Sequence, residues 1–79
     1  MIELNVLNSS GNVIFSFTSV ADICHFFQDT NIDASSPQSF IMYLMSNYYR
    51  YQFDGVEYYL HQMNMNNMTG KITICYEPV

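Results

Sequence analysis

Val13-Ile14-Phe15-Ser16-Phe17-Thr18-Ser19-Val20-Ala21-Asp22-Ile23-Cys24-His25-Phe26-Phe27 changes its hydrophobic period half-way along, and that change decides the fold. Val13, Phe15 and Phe17 alternate with Ile14, Ser16 and Thr18, the period of a strand. From there Val20, Ile23, Cys24 and Phe27 fall at i, i+3, i+4 and i+7, one stripe of a helix. Ser19 stands where an N-cap belongs. Asp22, three residues on, completes a capping box at the positive end of the helix dipole. One short segment thus contains a strand, a stop and a helix start, which places sheet and helix in the same domain.

On its N-terminal side, Ile2, Leu4 and Val6 share one face against Glu3 and Asn5, and Asn8-Ser9-Ser10-Gly11-Asn12 is a turn cluster. Two period-2 runs around a Gly-containing loop read as a β-hairpin. On the C-terminal side the helix should fade among Asp29, Thr30 and Asn31. Ser36 then caps a second helix with Pro37 at its first position, where the missing N–H costs nothing. Phe40, Ile41, Leu44 and Tyr48 form its stripe, flanked by Met45. Tyr49, Tyr51 and Phe53 next alternate with Arg50 and Gln52 up to Asp54-Gly55, a type I′ hairpin signal. Val56, Tyr58 and Leu60 alternate with Glu57, Tyr59 and His61. Residues 64–70 read as a polar turn, with a helix over 58–66 as the competing reading. Ile72, Ile74 and Tyr76 form one face of a last strand over Lys71 to Glu77. The expectation is one compact α+β domain over 1–79, ordered ββααβββ, with an antiparallel sheet packed against two helices.

Composition then limits function. The 79 residues include seven tyrosines, six phenylalanines and seven carboxylates, but only two cations, Arg50 and Lys71, for a net charge of −5. Proteins that grip nucleic acid neutralise several phosphates with Lys and Arg, which two cations cannot do. A tyrosine-rich, cation-poor surface instead suits contact with another protein. Hydrophobic residues make up 49% and charged residues 11%, which excludes the disordered class and leaves apolar surface for a partner or a second copy to cover. The longest uncharged stretch, Leu4 to Ala21, is too polar to span a bilayer. The first five residues lack a basic start and apolar run, so the expected location is the cytoplasm. There, Cys24 and Cys75 are expected to be reduced and buried as small hydrophobes.

No catalytic set assembles from these residues. Cys24, His25, His61 and Cys75 include two Cys and two His. However, Cys24 and His25 are adjacent and point about 100° apart on a helix, unlike the close ligand pairs of zinc sites. Cys75 and His61 could pair as nucleophile and base, yet nothing nearby lowers the thiol pKa: Lys71 shares the strand face but lies roughly 13 Å along it. Asp22, Asp29 and Asp33 match no ion loop and read as a solvated helix edge and end. Gly11, Gly55 and Gly70 each belong to a turn, so no phosphate loop exists. The expectation is a non-enzyme without cofactor or metal.

Val6 to Asp22, a strand, a Gly turn, a strand ending in Phe17-Thr18-Ser19 and a helix start, resembles the opening of modular DNA-binding repeats found beside homing endonucleases. Phe53-Asp54-Gly55-Val56-Glu57-Tyr58 echoes their closing aromatic strand. Those modules present basic residues to DNA, and this chain has one Arg and one Lys, so no DNA-binding role carries over to any residue. In overall type, a very small, acidic, Asn-, Tyr- and Met-rich chain resembles phage-encoded inhibitors of host machinery, including anti-CRISPR proteins. That resemblance implies the host cytoplasm and a basic, nucleic-acid-binding protein partner, with carboxylates occupying sites built for phosphates. A homo-oligomeric assembly subunit is the second reading, compatible with a homodimer, and a nucleic-acid-binding module the third. The expected partner surface comprises Tyr49, Tyr51, Asp54, Glu57 and Tyr59 on the second hairpin, with Asp22, Asp29 and Asp33 beside the helices.

Overall fold

The computed structural model describes residues 2–79. Their elements are β1 (Ile2–Leu7), β2 (Val13–Phe17), α1 (Val20–Phe27), α2 (Pro37–Asn47), β3 (Arg50–Phe53), β4 (Val56–Met65) and β5 (Ile72–Pro78). One five-stranded sheet has the order β2-β1-β5-β4-β3. It is mixed, which corrects the antiparallel expectation. β5 inserts between β1 and β4, antiparallel to β4 but parallel to β1, with Leu4 opposite Ile74 and Val6 opposite Tyr76. Period-2 alternation places a residue on a face but says nothing of strand direction, so the N- and C-terminal strands could not be paired in advance.

Both helices lie on one face of this sheet. Leu4 and Val6 of β1, Tyr58 and Leu60 of β4, and Ile72, Ile74 and Tyr76 of β5 meet Ile23, Phe26 and Phe27 of α1 and Phe40 and Leu44 of α2 in a single core. The caps are those the sequence indicates. Ser19 accepts from the Asp22 N–H at 3.1 Å, and Ser36 accepts from the Ser39 N–H at 3.1 Å with Pro37 opening α2. The Asp54-Gly55 turn has φ of 52° and 79°, as type I′ requires, and sets Phe53 opposite Val56 and Tyr51 opposite Tyr58.

Three sequence expectations shift. The buried face of α1 is rotated toward Phe26, which the Val20–Ile23–Cys24–Phe27 stripe omits; Val20 and Cys24 are only half-buried. Strand β4 runs on to Met65, through Asn64 of the expected turn and in place of the competing helix, because Met63 and Met65 find Ile74 and Ile72 across the ladder. Finally, both cysteines are half-buried and neither is a core residue.

The aromatic excess is largely internal. Phe15, Phe17, Phe26, Phe27, Phe53, Tyr43, Tyr48, Tyr51 and Tyr76 join in one continuous chain of ring contacts. Phe26 is its hub. Its ring centroid lies 5.0 Å from those of Phe17, Phe27 and Phe53 and 5.4 Å from that of Tyr51. Phe15 of β2 and Phe53 of β3, from opposite edges of the sheet, meet edge-to-face at 5.5 Å. Two long side chains thus reach from the opposite margins of the curved sheet to one another across Phe26 of α1.

Helix α1 ends in a Schellman arrangement. The Asp29 N–H donates to the Cys24 carbonyl and the Gln28 N–H to the His25 carbonyl, with Gln28 itself at φ 54°. A side chain at this left-handed position carries a steric cost that glycine avoids. Gln28→Gly should raise stability by about 0.5–1 kcal/mol, read as a higher urea midpoint at unchanged slope.

Candidate functional site

The sheet divides the expected surface in two. Its outer face carries Glu3, Asn5, Thr73, Cys75 and Glu77 at the centre and Arg50, Gln52, Tyr59 and Gln62 toward the β3 side, all in alternation with core residues. Both cations are found here, each beside a glutamate: Arg50 Nη1 is 3.1 Å from Glu57 Oε1, and Lys71 Nζ is 3.4 Å from Glu3 Oε1. The Glu3 carboxyl titrates below the usual range because the Asn5 amide donates to it at 3.1 Å and because Lys71 is adjacent. A β-bulge at His61 lets its Nδ1 share a 3.0 Å hydrogen bond with the Tyr59 hydroxyl and lie 3.5 Å from Glu77 Oε2.

The four aspartates lie off this face. Asp22 is in the first turn of α1, Asp29 and Asp33 in the loop between the helices, and Asp54 at the tip of the β3–β4 turn. Among the described residues none has a cationic side chain within ion-pair distance. All three glutamates thus share a face with both cations, and the charge that no Arg or Lys compensates is that of Glu77 on this face and of the four aspartates off it.

Asp29 is the most constrained of them. The hydroxyls of Tyr43 on α2 and Tyr48 at its C-cap each donate to Asp29 Oδ2 at 2.7 Å, while Oδ1 accepts from the Asn31 N–H at 2.8 Å. The two phenol bonds, with the Asn31 bond, hold the Asp29 carboxyl below its ordinary pKa. Burial first, then the Asp29 bond, push the Tyr48 phenol up to about 12. Asp33 is lowered by the Ser35 hydroxyl and N–H, which form a local turn.

Individual residues fall as follows. Tyr49 is exposed at 50% and Asp54 and Glu57 are exposed. Tyr59 stands on the outer face, half-buried beside His61. Tyr51 is corrected. Its ring packs on Phe26, Phe27 and Tyr48, and its hydroxyl donates to the Phe26 carbonyl at 3.0 Å, tying β3 to the end of α1. It shares the face of Tyr58 and packs, half-buried, against the core.

The two cysteines and two histidines stand in separate places, Cys24 and His25 on α1 beneath the sheet and His61 and Cys75 on its far face. Burial pushes the Cys75 thiol up, and Glu77 and Glu3 further disfavour a thiolate there. Such a thiol is a poor nucleophile. Comparison with known protein families, curated proteins and solved structures finds no match to this chain.

Tyr51→Ala should cost about 2–3 kcal/mol by removing a half-buried ring that packs on Phe26, Phe27 and Tyr48, whereas Tyr59→Ala should stay within about 1 kcal/mol of the parent, both read by chemical unfolding. A carboxylate whose pKa is lower in the fold than in the unfolded chain stabilises the fold above the unfolded value. That contribution is lost as pH falls through the folded value. Between neutral pH and about pH 3 the parent should therefore lose more stability than Asp29→Asn, which has no such proton to take up.

Proposed function

We propose that this chain is a non-enzymatic protein-binding inhibitor that docks its aspartate-bearing surface on a basic, nucleic-acid-handling protein. The observation that carries this reading is the separation of charge: Arg50 and Lys71 are paired with Glu57 and Glu3 on one sheet face, and Asp22, Asp29, Asp33 and Asp54 lie off it with no cationic partner among the described residues. A compact body with one-signed charge on such a surface is attracted to sites that evolved to hold phosphates, and it excludes nucleic acid by occupying them. The same imbalance disfavours direct DNA or RNA binding. Tyr49 and Tyr59 remain as accessible aromatic anchors, while most other rings serve the core. The anti-CRISPR-like resemblance of type belongs with this proposal, as does a host-cytoplasmic setting.

Affinity capture from a bacterial lysate tests it. The parent should retain a basic protein that is released by excess double-stranded DNA and by raised salt. The Asp22→Asn/Asp33→Asn/Asp54→Asn variant should retain it several-fold less, mainly through slower association. A parent that retains nothing the triple variant does not, or a parent that itself shifts DNA at micromolar concentration, would overturn the reading.

A further inference from the structure

Asp29 stands where a surface cleft meets a fixed set of hydrogen bonds. The cleft runs along the outer side of α1 and has a volume of about 570 Å³. Ala21, Cys24, His25, Gln28, Asp29 and Thr30 line it, and its walls are mostly apolar. That volume lies within the range of about 300–1,000 Å³ typical of ligand pockets. Asp29 is the one carboxylate among these lining residues. It is half-buried, and so is Cys24 beside it.

The hydrogen bonds define what this place can accept. Asp29 Oδ2 already takes two donors, the hydroxyls of Tyr43 and Tyr48, each at 2.7 Å. Oδ1 takes one, the Asn31 N–H at 2.8 Å, which leaves it room for another. A phenol that gives its proton to Asp29 presents only lone pairs on its other side. The three groups together therefore offer acceptors and no donor, which repels an anion and suits a cation with hydrogens to give. The same bonds keep the Asp29 carboxyl ionised. Neither Arg50 nor Lys71 reaches it, since both are held on the outer sheet face by Glu57 and Glu3. An arginine fits poorly here: its planar fork grips both oxygens of a carboxylate, and Oδ2 is already taken. A lysine ammonium is a compact charge with three rotatable donors, able to meet Oδ1 and a phenol oxygen together. Its aliphatic stem gains by lying along an apolar wall.

We propose that the α1 cleft receives a lysine side chain of the basic partner, its stem against Ala21 and Cys24 and its ammonium on Asp29 Oδ1 and the Tyr43 hydroxyl oxygen. This rests on the reading of the aspartate surface as the docking face, and it names the residue type which that face selects. Asp22, Asp33 and Asp54 attract a basic partner from a distance, and Asp29 decides which cation is seated. An exposed aspartate gives up side-chain freedom to form an ion pair. Asp29, already held by three donors, gives up little, so the contact is stronger there.

Titration of the isotope-labelled protein with deca-lysine and with deca-arginine, at about 50 mM salt where surface charge is weakly screened, tests it by amide resonances. Deca-lysine should move the resonances of residues 24–31 first and bind at least about threefold more tightly than deca-arginine. Asp29→Asn should weaken deca-lysine binding about tenfold, and Asp54→Asn no more than about twofold, the scale of an exposed pair. Equal affinity for the two peptides, with shifts spread over Asp22, Asp33 and Asp54, overturns the lysine site and leaves the acidic docking face standing. So does an Asp29→Asn protein that binds deca-lysine like the parent. Binding of neither peptide overturns both. Should Asp29→Asn fail to fold, Tyr43→Phe decides, because it removes the phenol oxygen and keeps the carboxylate. It should erase the preference for deca-lysine, and a preference that survives overturns the proposal.

Discussion

Phe26 is the residue on which the rest of the structure depends. Its ring touches Phe17 from β2, Phe27 from its own helix, and Tyr51 and Phe53 from β3. A domain of this length buries little more than about 60% of its unfolded surface, so a few large side chains must supply most of its core. Aromatic pairs suit that need, contributing about 0.5–1.5 kcal/mol each beyond their area and constraining geometry through edge-to-face preference. The network also ties elements at opposite ends of the sheet, since Phe15 and Phe53 meet only because the sheet coils around α1. The tyrosines add polar ends to the same construction. Tyr51 donates to the Phe26 carbonyl and Tyr76 to the Tyr48 carbonyl, so buried rings satisfy main-chain groups at helix ends.

That arrangement changes how the composition should be understood. Thirteen Phe and Tyr residues with two cations suggest an aromatic interface, but most of the rings are spent on the interior. The surface features that survive are electrostatic and local. Glutamates and cations share the outer sheet face, while aspartates occupy the helix side and the hairpin tip. Asp29, clamped by two phenols, shows that a carboxylate on an acidic surface can be a structural element as well as a charge. It fixes the loop between the helices against Tyr43 and Tyr48. The β2 margin supplies a third kind of surface, apolar and uncharged.

Much of the local structure was legible in the sequence, for reasons that are themselves local. Caps at Ser19 and Ser36, the Pro37 start and the Asp54-Gly55 turn depend on residues within a few positions of one another, and short-range sterics and hydrogen bonding decide them. The turn sets the register of β3 on β4, and so the face on which each residue of that hairpin falls. On that basis Glu57 and Tyr59 fall on the face of Arg50 and Gln52, opposite Tyr51. Which face would be covered depended on where the helices pack, which periodicity does not state.

The remainder was decided by contacts between residues far apart in the chain. Strand direction is invisible to a period-2 pattern, and β5 lies parallel to β1 because the β4–β5 hairpin delivers it into the centre of the sheet. Phe26 lies beside the best helical stripe, and only the curvature of the sheet turns that side of α1 inward. Asn64 and Met65 resemble turn residues until Thr73 and Ile72 are opposite them to complete a ladder. By itself the sequence determined the element types, their caps, the register of the β3–β4 hairpin and the shortage of cations, because each follows from neighbours along the chain. Tertiary structure alone decided the mixed sheet, the aromatic hub and the separation of glutamates from aspartates, because each depends on which distant residues share a face once the sheet has coiled around α1.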